Sequence, residues 1–428
     1  MVIFPFFVKT NFKPNQTNVL ELTDFTTLHE FFAENPFDAA DTRSFTAFGL
    51  QFEQFDFRSD LSLPSGAAPA EEVPGIGQHD PKARELAELR NRIASEAAAV
   101  PENFAFRYYM VHRPGDNEAE RALLMLHGLN ERAWSKYLVW ATALAQRTGR
   151  PVLLFPTAFH MNRAPEAWSD RRQMQPLVRE RVSNFPELNE SSFLNVALST
   201  RLSEVPGRFF WSGYQTYLDL VVLLRSAQQG HHPGLATGVQ FDIFGYSAGA
   251  FLSQVLLMAN PENRLAESRA LLFCGGSTLD RTEPVSRYII DSKAAESLQH
   301  FMEDELWNNL SDPQVSSLMH LLEQESTAGG YFLALLRQDK LQALREKRFS
   351  ELGPQLKAIA LAKDQVTPPA RIRETLQAPG VQPPVEVCVF DFDYPYNHVT
   401  PFNPRPRFAA QANAAFERVF AQLQDDLA

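Results

Sequence analysis

Apolar and polar residues alternate with period two from Phe45 through Phe48, Leu50 and Phe52 to Phe55, a spacing that predicts one half-buried strand early in the chain. Residues 61–80 then gather Pro64, Gly66, Pro69, Pro74, Gly75 and Gly77, a composition that breaks helix and strand alike and marks a linker. From Pro81, Leu86, Leu89, Ile93, Ala97 and Val100 recur on one helical face, with the proline tolerated in the first turn. Beyond residue 100 the pattern changes to short apolar runs at 104–111, 122–126, 151–156, 239–245, 270–274, 359–362 and 385–392. Helical stretches at 135–148, 214–229 and 248–259 fill gaps between them, and Phe408, Ala412, Ala415, Phe416, Val419, Phe420 and Leu423 form the stripe of a final helix. Strands alternating with helices predict an α/β class with a mostly parallel, doubly wound sheet. Two gaps, 158–210 and 279–353, are too long for simple connections and read as lids or caps. The second is helical, since Leu298, Phe301, Met302 and Leu306, then Val315, Leu318, Met319 and Leu322, follow i, i+3, i+4, i+7, with Ser311 and Pro313 as start signals.

Candidate chemistry sits at the junctions of this pattern. Gly245-Tyr246-Ser247-Ala248-Gly249 matches G-x-S-x-G, following one apolar run and opening one helical stretch, the context in which such a motif forms a nucleophile elbow. Composition alone would give roughly 0.06 such matches by chance, before the strand and helix are required. A serine hydroxyl needs a histidine base, and the base needs an acceptor to fix its tautomer. Of the 10 histidines, His398 alone lies past the last apolar run, in the loop before the terminal helix. Asp364 directly follows the run at 359–362, on the sheet edge expected to carry Ser247 and His398. Asp280, one strand earlier, is the rival acid, whereas Asp391 and Asp393 are too close to His398 along the chain to orient its ring and read as solvated. His127-Gly128, after an early strand, reads as structural. His231-His232, in a loop with no carboxylate or thiolate at ligand spacing, supports no metal site, and Arg171, Arg172, Arg179 and Arg181 read as a solvated basic face. The tryptophans read first as core and second as the lining of an acyl pocket.

The order Ser247, Asp364, His398, with His127-Gly128 after an early strand, resembles the α/β-hydrolase superfamily over roughly residues 104–428. The resemblance implies an α/β-hydrolase fold with a helical cap at 279–353, an N-terminal extension over 1–100 and a catalytic domain over 101–428. It also implies an oxyanion hole at the N–H groups of Ala248 and Leu129, although the loop His127-Gly128-Leu129-Asn130-Glu131 lacks the extra glycines of an HGGG-type lipase. The activity implied is hydrolysis of a carboxylic ester, thioester or amide through an acyl-enzyme on Ser247. An acyltransferase with the same three side chains and a catalytically silent binding protein are the alternatives.

Composition narrows the partners. The 428 residues are 44% hydrophobic and 21% charged, as in globular proteins. A net charge of −11 disfavours nucleic acid and anionic lipid, leaving a small-molecule acyl substrate as the expected partner. No run of apolar residues is long enough to span a membrane, and the apolar start at Met1–Lys9 lacks the charged flank and cleavage site of a signal peptide. Cys274 and Cys388 are expected to be buried thiols, consistent with a cytoplasmic protein. No dinucleotide fingerprint or Walker loop occurs, so no cofactor is expected.

Overall fold

The computed structural model describes residues 22–35, 37, 43–61, 81–94, 100–115, 118–322 and 327–428. Most of the expected linker, at 62–80, and the apolar residues 1–9 lie outside the described residues. The strands are β1 (Ser44–Ala47), β2 (Leu50–Arg58), β3 (Ala105–His112), β4 (Glu118–Leu126), β5 (Val152–Phe155), β6 (Gly234–Tyr246), β7 (Ala270–Phe273), β8 (Leu356–Leu361) and β9 (Glu386–Phe390). They form one nine-stranded sheet in the order β1-β2-β3-β5-β4-β6-β7-β8-β9. From β5 to β9 every pairing is parallel, and β1, β2 and β3 join antiparallel at one edge.

The central strands are apolar on both faces because each face is covered. In β4, Ala122, Leu124 and Leu126 enter one apolar cluster while Leu123 and Met125 enter the other. Strands β6, β7 and β8 divide in the same period of two, with Phe241 and Ile243 on one side and Phe244 and Tyr246 on the other. Helices Arg208–Gln228 and Ala248–Ala259 cover the first face, and helices Phe25–Glu34, Ser135–Thr148 and Ala409–Leu427 the second. This doubly wound, mostly parallel arrangement is the α/β-hydrolase fold. Among the described residues no helix is long and apolar enough to cross a membrane.

Two expectations change, and one open point is filled in. The alternation at 45–55 is two strands, because Phe48 (φ 53°) and Gly49 (φ 72°) both take the left-handed conformation of a tight hairpin turn, which a period-two count passes over. The part that residues 1–100 play was left open by the sequence; among the described ones, the hairpin extends the main sheet and the helix Phe25–Glu34 packs into the second cluster. Cys274 is buried but Cys388 is only half-buried, because it lies on the edge strand β9.

The insertion at 279–353 is helical, with Leu298, Phe301, Met302, Leu306, Val315, Leu318, Met319 and Leu322 all buried in the first cluster. Phe301 stacks on Phe210 (5.5 Å between ring centres) and Phe332 meets Phe251 edge-on (5.1 Å), so these helices thicken the core.

Candidate active site

The turn after β6 is built by exclusion of side chains. A Cβ on Gly249 would lie 2.2 Å from the carbonyl oxygen of Leu126, and one on Gly245 would lie 2.5 Å from that of Gly249, so β6 and its helix close up only with glycine at both places. Between them Ser247 is held at φ 56°, ψ −118°, a strained conformation that costs on the order of 1–3 kcal/mol and is held by the packing around it. Its N–H donates to the Phe273 carbonyl of β7 (3.0 Å), and its own carbonyl accepts from Ala250 (2.9 Å) and Phe251 (3.2 Å).

Asp364 and His398 arrive from the loops after β8 and β9. His398 Nδ1 lies 2.7 Å from Asp364 Oδ2, and its Nε2 lies 2.7 Å from Ser247 Oγ. The carboxylate accepts at Nδ1, so the proton sits there and Nε2 keeps a lone pair for the serine hydroxyl. The other carboxylate oxygen, Oδ1, accepts from the N–H groups of Val366 (2.9 Å) and Thr367 (3.0 Å), which fixes the acid in place. Asp364 and His398 are 3% and 4% exposed, so water competes weakly for these bonds. Burial and the neighbouring Asp364 carboxylate push the Cys274 thiol well above its ordinary pKa, keeping it protonated beside the acid. Tyr246, inside the elbow motif, donates its hydroxyl to the His398 carbonyl and lies nearly parallel to the imidazole at 5.4 Å.

The loop after β4 is equally constrained. Thr157 N–H donates to His127 Nε2 (2.9 Å), so the His127 proton is on Nδ1, where it donates to the Gly128 carbonyl (2.9 Å). Burial holds this imidazole neutral, its pKa well below the ordinary value. Gly128 N–H donates to the Tyr137 hydroxyl (2.9 Å), which in turn donates to Glu131 (2.9 Å). The N–H groups of Leu129 and Ala248 make no hydrogen bond among the described residues, and both residues border the same small spaces beside Ser247.

An open cleft of about 420 Å³ runs past Ser247 and His398, walled by Leu129, Trp140, Leu194, Tyr288 and Ile289. A smaller apolar space of about 60 Å³ also borders Ser247, among Ala248, Phe251, Gly275, Leu279 and Val366. A third, of about 70 Å³, shares Leu129 and Ala248 and ends at His160 and Phe332. Both long insertions thus contribute wall residues, Leu194 from the first and Ile289 and Phe332 from the second.

The remaining candidates lie elsewhere. Asp280 accepts from Thr278 Oγ1 (2.7 Å) and Gln338 N–H (3.1 Å), with no contact to His398. Asp391 accepts from the Tyr396 hydroxyl (2.7 Å) and Phe392 N–H (2.8 Å), pinning the base of the His398 loop, while Asp393 is exposed. His232 packs against Phe55 (4.8 Å). Arg171, Arg172 and Arg179 are exposed, but Arg181 departs from the expected solvated face: it is buried in a bidentate pair with Asp291 (2.9 Å for each bond) that ties the two insertions together. Trp134 and Trp140 are core residues, and Trp140 also reaches the cleft. Sequence spacing missed the Tyr246 hydroxyl, Thr367, Tyr137 and Asn130; the side-chain amide of Asn130 donates to the carbonyls of Leu194 (2.8 Å) and Tyr288 (2.7 Å).

A protein-family model matches residues 23–428. The chain belongs to DUF6051, a family of unknown function. No curated protein matches this DUF6051 member. Among solved structures it is similar to an S-formylglutathione hydrolase from Agrobacterium tumefaciens, with 13% identity and a TM-score of 0.44 over 90% of this chain and 98% of that one. It is similar also to carboxyl esterase 2 from the mycorrhizal fungus Tuber melanosporum, with 10% identity and a TM-score of 0.44 over 95% and 99%. A third is the peroxisomal alpha-beta-hydrolase Lpx1 from Saccharomyces cerevisiae, at 12% identity and a TM-score of 0.39 over 88% and 89%.

Proposed function

We propose that the protein is a serine hydrolase that cleaves a carboxylic ester, or the related thioester or amide, through an acyl-enzyme. The observation that carries this reading is the unbroken run of hydrogen bonds from Asp364 through His398 to Ser247, 2.7 Å at each step, ending on a strained serine that faces an open cleft. Ser247 Oγ attacks the substrate carbonyl as its proton passes to His398 Nε2, and Asp364 stabilises the imidazolium. The oxygen that gains charge is received by the N–H groups of Ala248 and Leu129; one such donor typically contributes about two to three powers of ten in rate. His398 then gives its proton to the leaving alcohol, thiol or amine. Water repeats the sequence in reverse, releasing the acid and restoring the serine.

The same groups would serve acyl transfer. The open cleft of about 420 Å³ admits water as readily as an acceptor alcohol. Product analysis with and without an added alcohol separates the two. The decisive test is labelling with a fluorophosphonate probe. The native protein is expected to label and the Ser247→Ala variant not to; a folded native protein that stays unlabelled would leave the silent binding reading in its place.

A further inference from the structure

The cleft has an uneven charge. Lys136 and Arg132 are among the residues that line it, and Glu131 is the one carboxylate residue lining it among the described residues. Glu131 is already engaged, because Lys136 pairs with it and the Tyr137 hydroxyl donates to it. Lys136 is further held over the ring of Tyr246, 4.6 Å from its centre. Arg132 differs: among the described residues it forms no ion pair, and its partners are neutral oxygens. Nε donates to Ser169 Oγ (3.0 Å), Nη2 to the Trp168 carbonyl (2.8 Å) and Nη1, at 3.4 Å, to the Leu194 carbonyl.

Three features follow from this arrangement. The guanidinium is half-buried, so a charge that meets it is poorly screened. It is held to fixed backbone, so little rotamer entropy remains to be lost on binding. A guanidinium has five N–H donors and these bonds use three of them, which leaves two for an incoming anion. A chain with net charge −11 repels anions at long range, so a cation left without a carboxylate inside a cleft is the local exception that lets one approach.

We propose that Arg132 is the anion-recognition residue of the cleft and that the substrate is an ester bearing a free carboxylate on the portion held there. The proposal rests on the reading of Ser247 as the nucleophile for its catalytic consequence, but not for binding. Of the two sides of the scissile bond, either could occupy the cleft, so two matched pairs of substrates are needed. The first is 4-nitrophenyl hydrogen glutarate against 4-nitrophenyl methyl glutarate, with the charge on the acyl side. The second is 4-(butanoyloxy)benzoate against its methyl ester, with the charge on the alcohol side.

The expected result is a charged-to-neutral kcat/KM ratio of about ten or more in one pair, falling toward one in Arg132→Gln and partly retained in Arg132→Lys. Loss shared by both members of a pair reports the loop that Arg132 braces, so the ratio alone reads the charge. Ratios at or below one in both pairs, or a ratio that Arg132→Gln leaves unchanged, overturn the proposal. Calorimetric binding to Ser247→Ala supplies an arm independent of turnover. There the charged ester of one pair should bind at least tenfold tighter than its methyl ester, and Arg132→Gln in the same background should remove the difference; equal binding in both pairs overturns the proposal. Retained preference in binding with no fluorophosphonate labelling of the native protein would instead overturn the hydrolase reading and leave the anion site standing.

Discussion

In the proposed mechanism Asp364 makes one bond that acts in the chemistry and several that only hold it in place. Oδ2 faces His398, while Oδ1 is saturated by two backbone N–H groups. Replacing the acid by asparagine leaves a side chain of nearly the same shape but presents an N–H₂ donor or a neutral oxygen to Nδ1, so the imidazole no longer favours the tautomer with its lone pair at Nε2. Asp364→Asn is therefore expected to lower kcat by about 10³–10⁴ with a nearly unchanged melting temperature. Asp280→Asn, which disturbs only the contacts to Thr278 and Gln338, should lower kcat by less than about tenfold. Steady-state kinetics on one ester, with thermal unfolding of both variants, checks the ranking, and the reverse order would move the acid to the loop after β7. At this scale the positions of Ser247, Asp364 and His398 were legible because Ser247 and Asp364 closely follow the apolar runs of the buried strands β6 and β8, and His398 lies in the loop after the last apolar run. Arg132 was not, since nothing in the residues around it says that its neighbours in space are Ser169, Trp168 and Leu194.

The elbow is a property of two elements pressed together. Gly249 is the closest approach, with its missing Cβ directed at the backbone of Leu126 and His127, which are the end of β4 and the start of the loop after it. Backbone cannot yield as a flexible side chain does, so the helix Ala248–Ala259 must move if a methyl group is added. Gly249→Ala is expected to reduce fluorophosphonate labelling at least 100-fold and to destabilise the fold by about 1–3 kcal/mol, read from labelling rate and denaturant midpoint together. Rapid labelling in this variant would show that the close approach is unnecessary. The helices Ser135–Thr148 and Ala248–Ala259 match the expected bounds because their apolar spacing and end signals are local. The early hairpin was read as one strand although the phase of the alternation shifts at the adjacent apolar pair Ala47-Phe48, and the pairing of Phe45 with Phe52 exposes the reversal.

At the scale of the whole molecule, stability depends on histidines kept neutral by burial. His160 donates Nδ1–H to the Ala158 carbonyl (2.9 Å), and desolvation lowers its pKa from 6.5 to about 4. Above pH 6.5 the ring is neutral in folded and unfolded chains alike, and its contribution to stability is whole. Between pH 6.5 and about 4 the unfolded chain takes up the proton first, so stability falls with pH and levels off below the folded value. The loss from this one group is on the order of 3 kcal/mol. His160→Asn retains an N–H for Ala158 and does not titrate, so denaturant midpoints measured from pH 7 to pH 4 should fall less steeply than in the native protein. Parallel slopes would mean that His160 is already protonated in the fold.

The order of strands beyond residue 100, the elbow and the three side chains proposed for catalysis follow from the sequence itself, because burial on both faces imposes apolar runs and a turn without Cβ atoms imposes glycines. Tertiary structure alone decided which loops share the cleft, that the helical insertion joins the main core, and that Glu131 neutralises Lys136 but not Arg132. The physical reason is range: propensity and periodicity act over a few neighbours, whereas the electrostatics and walls of a site are set by residues brought together from distant parts of the chain.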